Sequence, residues 1–163
     1  MDKIVPCLWF DHQAEEAARF YVSIFRQSKM GAITRYGEVG QNIHGRPPGT
    51  VMTVEFTIEG QDFLALNGGP AFTFNEAISL QVMCTTQAEV DEYSSKLSAG
   101  GDPDAQQCGW LKDKYGVSWQ IVPTVVRDML RDTDRKRADR VMSALLKMKK
   151  LDIAALKHAY ERA

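Results

Sequence analysis

The sequence predicts an α+β protein made of two successive modules of strand, helix and three strands, followed by a helical tail. Two observations support the repeat: apolar patterns recur in this same order, and the predicted helices begin alike, with Gln13-Ala14-Glu15 and Gln87-Ala88-Glu89. Beyond Pro123 the spacing is only helical. We expect one domain over residues 1–163, divided into module one (about 1–67), module two (about 78–123) and the tail (124–163).

Module one begins with the apolar segment Ile4–Phe10, which predicts a strand. Asp11 follows it and is expected to cap the first helix, because a carboxylate accepts hydrogen bonds from free N–H groups at a helix start. Apolar side chains at helical spacing then predict a core-facing stripe: Ala14, Ala17, Ala18, Tyr21 and Phe25. Three strands are expected next, with a loop at Gly40–Gly49 and a hairpin turn at Glu59-Gly60-Gln61: about Gly31–Glu38, Val51–Glu59 and Asp62–Leu66.

Module two repeats this order, beginning with a strand at Ile78–Cys84. Thr86 and Glu89 have the spacing of a capping box, and Gly100-Gly101 is expected to end the helix that follows. Asp113 is interpreted as a residue that sets a turn. Three further strands are predicted: around Gln106, at about Trp110–Lys112 and at Val117–Val122.

The tail is expected to contain helices that begin near Asp134 and Asp152, with an apolar stripe from Ala138 to Met148. From Pro123 onward the chain has 11 Lys and Arg against 6 Asp and Glu. Because these acids alternate with the bases, we favour a solvated helix surface docked on a more acidic body over a nucleic-acid-binding patch. The expected partners therefore include no nucleic acid.

Composition excludes several classes of protein. The apolar fraction of 44% and charged fraction of 25% are those of a globular domain, and no apolar run is long enough for a membrane span. The start Met-Asp-Lys-Ile-Val-Pro lacks the pattern of a secretion signal. The three scattered cysteines favour reduced thiols in a cytoplasmic protein.

Several segments resemble PhnB-like proteins of the glyoxalase/bleomycin-resistance (vicinal-oxygen-chelate) superfamily, in the subgroup labelled demethylubiquinone methyltransferase-like. The resemblance covers nearly the whole chain and is most specific over Cys108–Pro123. It implies that the two βαβββ modules curve into a cup-shaped mixed sheet around a small-molecule pocket, within a homodimer. The segments are Leu8-Trp-Phe-Asp11, Glu16-Ala-Ala-Arg-Phe-Tyr21, Phe72–Leu80, Gly100-Gly101, Cys108–Pro123 and Met148–Leu156.

The resemblance also implies where a metal would bind, because enzymes of this superfamily hold a divalent cation with four His, Glu or Gln ligands. The matching positions here are Pro6, Leu64 or Ala65, Ala77 and Gln120. Three of the four offer no metal-binding side-chain atom, and one amide cannot offset the desolvation of a divalent cation. We therefore expect no metal and no other cofactor. A His44 that reaches into a partner's cup remains an alternative.

Aromatic and polar side chains around the presumed cup are the candidate ligand contacts: Phe10, Asn67, Phe72, Phe74, Asn75, Trp110, Ser118 and Gln120. Side chains alternate along a strand, so Ser118 and Gln120 are expected to face the cup while Trp119 packs behind the sheet against a helix. Trp110 is expected nearer the rim. A core role for Phe10 and a loop-capping role for Asn75 remain open.

These patterns favour a homodimeric small-molecule-binding protein without the usual metal centre. The alternatives are an enzyme of unknown reaction, a drug-sequestering protein of the resistance type, and a nucleic-acid-binding accessory protein. A methyltransferase is disfavoured because Gly68-Gly69 precedes Pro70 and predicts a plain turn, not a glycine-rich turn that opens a helix beside a methyl donor. Whether the chain catalyses any reaction stays open.

Overall fold

A four-stranded sheet with one helix packed on it forms the N-terminal unit, Met1–Phe74. In this computed structural model, which describes residues 2–162, the strand order is β1-β4-β3-β2, with β1 parallel to β4 and the other pairs antiparallel. The sequence-predicted βαβββ order is confirmed. The elements are β1 (Cys7–Phe10), α1 (Ala14–Ile24), β2 (Lys29–Arg35), the one-turn α2 (Gln41–His44), β3 (Val51–Ile58) and β4 (Gln61–Asn67).

The core of this unit lies between α1 and one face of the sheet. All five residues of the predicted helical stripe are buried, and the Tyr21 ring stacks on Phe56 of β3 with centroids 6.1 Å apart. The predicted hairpin is also confirmed: Glu59 and Gly60 have φ of 46° and 81°, as a tight turn between antiparallel strands requires. The loop predicted at Gly40–Gly49 contains α2, which glycines of positive φ flank on both sides.

The start of α1 corrects one prediction, because Asp11 does not cap this helix. Asn67 at the end of β4 takes that role, since its Oδ1 accepts a hydrogen bond of 2.8 Å from the Ala14 N–H. Asp11 instead accepts a hydrogen bond of 3.0 Å from the Arg46 guanidinium, which lowers the pKa of Asp11. β1 pairs with β4 so that Phe10 lies beside Asn67, and this long-range register places the amide at the helix start.

The C-terminal unit, Asn75–Ala163, is built on a three-stranded sheet of order β5-β7-β6, with β5 parallel and β6 antiparallel to β7. The predicted capping box is confirmed, because the Glu89 N–H donates to Thr86 Oγ1 and the Thr86 N–H donates to Glu89 Oε2. The elements are β5 (Leu80–Cys84), α3 (Gln87–Ser98), a 3₁₀ turn (Pro103–Ala105), β6 (Trp110–Lys112), β7 (Ser118–Pro123), α4 (Thr124–Leu130), α5 (Arg135–Leu145) and α6 (Ile153–Glu161).

The prediction of a strand around Gln106 is wrong. Only an isolated bridge between Gln107 and Trp110 is present there, so module two has two strands after its helix. The reason is that this segment bonds to the tail: the Cys108 and Gly109 N–H groups donate to the Met148 and Lys149 carbonyls, each at 2.8 Å. Backbone groups that pair with the tail are no longer free to extend a sheet.

The tail helices α4, α5 and α6 belong to the C-terminal unit and share a small core: Val126, Met129, Val141, Leu151 and Leu156. The helix starts predicted near Asp134 and Asp152 are confirmed, and both carboxylates accept hydrogen bonds from the first turns of α5 and α6. Gln87 links α3 to the tail through two hydrogen bonds. Its side-chain amide donates to the Leu151 carbonyl at 3.1 Å and accepts from the Ile153 N–H at 2.9 Å. Among residues 2–162, no helix has the length and apolarity required to cross a membrane.

Candidate functional site

The candidate site is a pocket of about 710 Å³ in the C-terminal unit, a size typical of small-molecule sites. Residues of the sheet form one wall, and residues of the tail form the other. The sheet contributes Gln81, Trp110, Leu111, Lys112, Ser118, Gln120 and Val122. The tail contributes Val126, Arg127, Leu130, Met142, Leu145, Leu146 and Leu151.

The alternation of side chains along β7 decides which residues line the pocket. Ser118, Gln120 and Val122 line it, whereas Trp119 and Ile121 between them are buried, with exposed fractions of 2% and 1%. α3 also packs on β6 and β7, so this sheet is covered by α3 as well as by the tail. Ser118 and Gln120 lie on one face of β7, as the alternation expected from the sequence requires, and Trp110 of β6 lines the same pocket. That these residues contact a ligand stays a prediction.

Gln120, which the resemblance matches to the last metal-ligand position, is held by two hydrogen bonds. Its Oε1 accepts from Gln81 Nε2 at 3.1 Å, and its Nε2 donates to Ser79 Oγ at 2.7 Å. β5 and β7 bring these residues together, because Gln81 and Gln120 are directly paired in the parallel register. Both polar ends of the Gln120 amide therefore already have partners within the protein.

The pocket is lined by two cationic side chains, Lys112 and Arg127, and by one carboxylate, Glu76. Lys112 of β6 forms an ion pair with Glu76. The hydrogen bond that Lys112 donates in this pair lowers the pKa of the Glu76 carboxyl group. Arg127 of α4 is exposed at the pocket edge, and within residues 2–162 no ion pair or hydrogen bond engages its guanidinium. Among the described residues, the pocket thus carries one cation, Arg127, without a counter-ion.

Sequence reasoning missed the contribution of the tail and of Cys108. The apolar stripe of α5 divides between two roles, since Ala138 and Val141 are buried whereas Met142 and Leu145 line the pocket. Helical spacing predicted that this stripe is covered, but spacing does not identify what covers it. Cys108 lines the pocket, is half-buried and has a positive φ of 55°.

Four of the predicted ligand contacts belong to the N-terminal unit. Phe10 is 3% exposed and packs edge-on against Phe74, with ring centroids 5.1 Å apart, so it is a core residue. Phe72 is 65% exposed and contacts Trp9. Asn67 caps α1 and also donates to the Val51 carbonyl at 3.1 Å, although it lines a smaller pocket of about 320 Å³.

Asn75, the remaining candidate, begins the C-terminal unit and is exposed. Its Oδ1 accepts a hydrogen bond of 3.0 Å from the Ala77 N–H, which is the loop-capping role that the sequence left open. Asp113 also has the role interpreted from the sequence, because its Oδ1 accepts from the Tyr115 and Val117 N–H groups and sets the turn between β6 and β7. Neither residue lines the larger pocket.

The residues at the usual metal positions do not fit a divalent cation. Pro6, Leu64 or Ala65, and Ala77 supply no side-chain donor, and Gln120 is engaged by Gln81 and Ser79. The part of the chain that the structure describes contains no cluster of three or more His, Cys, Asp or Glu side chains suited to a metal. His44 is held in its own loop, where its Nδ1 accepts from the Arg46 N–H at 3.0 Å.

Purified protein is therefore expected to contain Zn²⁺, Ni²⁺, Mn²⁺ and Mg²⁺ in amounts well below one ion per chain. Elemental analysis after gel filtration measures this directly, and analysis of the Gln120→Ala variant is the matched control. About one tightly held metal ion per chain, lost in Gln120→Ala, would contradict the prediction, because it would make Gln120 a ligand despite the missing neighbours.

A family model described as 3-demethylubiquinone-9 3-methyltransferase matches residues 2–122, which is most of the chain. The chain belongs to this family. A solved PhnB protein from Bacillus cereus with the same family description is 40% identical, and the match covers 76% of this chain and 100% of that chain with a TM-score of 0.63. The resemblance to PhnB-like proteins is confirmed. No curated protein sequence matches the chain.

More distant matches to solved structures show the fold alone. A protein from Pseudomonas aeruginosa is 19% identical, with 76% of this chain and 98% of that chain covered and a TM-score of 0.56. The fosfomycin resistance protein FosX from Mesorhizobium loti is 11% identical, with 80% and 100% covered and a TM-score of 0.52. This member of the 3-demethylubiquinone-9 3-methyltransferase family thus shares its fold with these two solved structures, and the α+β class that the sequence predicted is confirmed. Helices α4–α6, which form one wall of the pocket, begin after the segment that the family model matches.

Proposed function

We propose that this protein binds a small, largely apolar molecule in the pocket of its C-terminal unit, without a divalent metal at the superfamily's usual centre. The observation that supports this proposal is the pocket of about 710 Å³, in which Ser118, Gln120 and Trp110 lie opposite an apolar wall from the tail. An apolar cavity with a few fixed polar groups is the usual form of a small-molecule site.

Binding is better supported than methyl transfer, despite the family description. A methyl donor of nucleotide type needs glycines that let its phosphates or sugar approach the backbone at a helix start. Here Gly68 and Gly69 accommodate Trp9 instead: a Cβ on Gly68 would lie 2.3 Å from the indole ring, and the Gly69 carbonyl accepts from Trp9 Nε1 at 2.8 Å. These glycines therefore have a packing role.

A neutral fluorescent probe, N-phenyl-1-naphthylamine, is expected to bind saturably with one molecule per chain. Replacing Val122, a half-buried β7 residue of the pocket wall, with tryptophan fills the cavity and is expected to weaken binding at least about tenfold. Fluorescence titration measures the dissociation constant. Circular dichroism shows whether the variant is folded.

The matched control is Val22→Trp, which places the same side chain at a half-buried valine of α1 in the N-terminal unit. Its affinity for the probe is expected to equal that of the unmodified protein. Probe binding that is absent, or that a folded Val122→Trp variant leaves unchanged, would refute the proposed site.

We also propose that the protein is a homodimer. In support, several large apolar side chains are exposed in the isolated chain, among them Val39 (94%), Ile43 (87%) and Ile78 (80%). An interface that removes such side chains from water would favour association. Multi-angle light scattering is expected to give twice the chain mass of 18.3 kDa. A monomer mass across the micromolar range would refute the dimer.

We propose that the protein resides in the cytoplasm, which is a reducing compartment. Cys7, Cys84 and Cys108 are all free thiols. Burial raises the pKa of the Cys84 thiol to about 12, so this residue is a poor nucleophile near neutral pH.

A further inference from the structure

We propose that the molecule bound in this pocket is an amphipathic monoanion: an apolar chain or ring system with one carboxylate-type group that pairs with Arg127. This inference rests on the proposed function and adds the chemical class of the ligand to it. Three features of the pocket support it: the balance of its charges, the state of its amides and the position of its apolar wall.

The charge balance favours one negative charge on the ligand. Of the described residues that line the pocket, Lys112 and Arg127 are cations and Glu76 is the carboxylate. Lys112 and Glu76 neutralise each other in an ion pair. Arg127 is the surplus cation, and a guanidinium binds a carboxylate through two parallel hydrogen bonds. One surplus charge matches a monoanion better than a dianion such as a phosphate monoester.

The polar groups inside the pocket do not require a polar ligand body. The Gln120 amide accepts from Gln81 and donates to Ser79, so its oxygen and its nitrogen each keep a hydrogen bond when an apolar group is buried beside it. A ligand that was polar throughout would gain few bonds here and would lose its hydration.

The apolar wall and the cation lie on the same tail helices. Val126 and Leu130 flank Arg127 on α4 at spacings of one and three residues, and Leu145 of α5 completes this side of the pocket. Because Arg127 is exposed and these neighbours are buried or half-buried, the anion is expected at the pocket edge and the apolar body inside. The anion then keeps part of its hydration, so the desolvation penalty of forming the ion pair with Arg127 is small.

The test compares three probes that share one alkyl chain: decanoate, decanol and decylamine at pH 7.5. Each displaces N-phenyl-1-naphthylamine from the complete protein, and the displacement gives its dissociation constant. Decanoate is expected to bind about fivefold more tightly than decanol, and decylamine more weakly than both. In Arg127→Met, which keeps an unbranched apolar stem and removes the charge, this preference for decanoate is expected to disappear while the affinity for decanol stays unchanged.

Arg131→Met is the matched control, because Arg131 is exposed one turn further along and does not line the pocket. It is expected to keep the preference for decanoate. Equal binding of the three probes, or a preference for decanoate that survives Arg127→Met, would overturn this inference. Neither result would refute the proposal that the pocket binds small molecules. If none of the probes, including the neutral naphthylamine, binds, then the proposed function fails together with it.

Discussion

Replacing Trp119 with alanine is expected to lower the free energy of unfolding by about 3–5 kcal/mol. The indole is 2% exposed, so the substitution removes a large buried ring and leaves a cavity behind β7. It also removes the hydrogen bond of 2.8 Å that Trp119 Nε1 donates to Asp113 Oδ2. Urea unfolding followed by circular dichroism measures the loss.

Two variants separate the causes of this effect. Trp119→Phe keeps most of the ring but lacks the N–H donor, so its loss is expected to be smaller than that of Trp119→Ala. Gln120→Ala, on the opposite face of β7, is expected to change the free energy of unfolding by less than about 1 kcal/mol, since Gln120 is half-buried and pairs with other side chains. A silent Trp119→Ala together with an unfolded Gln120→Ala would mean that the two faces are assigned in reverse.

Replacing Asp113 with alanine is expected to be comparably destabilising, by about 3–5 kcal/mol. This carboxylate is 2% exposed and accepts hydrogen bonds from the Tyr115 N–H at 2.9 Å, the Val117 N–H at 3.0 Å and the Trp119 indole at 2.8 Å. Alanine leaves these donors without their acceptor, and the turn between β6 and β7 loses the side chain that fixes it. Urea unfolding of Asp113→Ala measures the effect.

Asp113→Asn is the control, because its amide retains one acceptor oxygen and should therefore cost less than alanine. The double variant Asp113→Ala with Trp119→Ala should lose less than the sum of the single losses, since both substitutions remove the same hydrogen bond. The expected coupling is about 1 kcal/mol or more. Additive losses would show that the indole and the carboxylate act independently, contrary to the contact described here.

Much of the fold was predictable because it depends on local patterns. Period-two and helical spacing placed the strands and helices, and the capping box at Thr86 needs only two residues three positions apart. The errors occur where a distant segment decides the outcome. Asn67 displaces Asp11 as the cap of α1 through the pairing of β1 with β4, and the tail carbonyls take the N–H groups that a strand near Gln106 would need.

The candidate site was predictable only on its sheet side. Alternation along β7 identifies Ser118 and Gln120 as neighbours on one face, once Trp119 is assigned to the core. The opposite wall was not predictable, because the stripe of α5 indicates an apolar face without naming its partner. Arg127 was missed for the same reason: a single arginine among the many charges of the tail has no distinguishing pattern in the sequence.

Protection of Cys108 from alkylation tests most directly whether a small molecule occupies this pocket. In a Cys7→Ser variant, Cys108 is the half-buried thiol of the pocket wall, while Cys84 is buried with its pKa raised to about 12 and reacts little. N-ethylmaleimide labelling of Cys108, followed by mass spectrometry, should slow as N-phenyl-1-naphthylamine is added, with the midpoint that fluorescence titration gives. A labelling rate at Cys108 that stays constant up to saturating probe would contradict binding in this pocket.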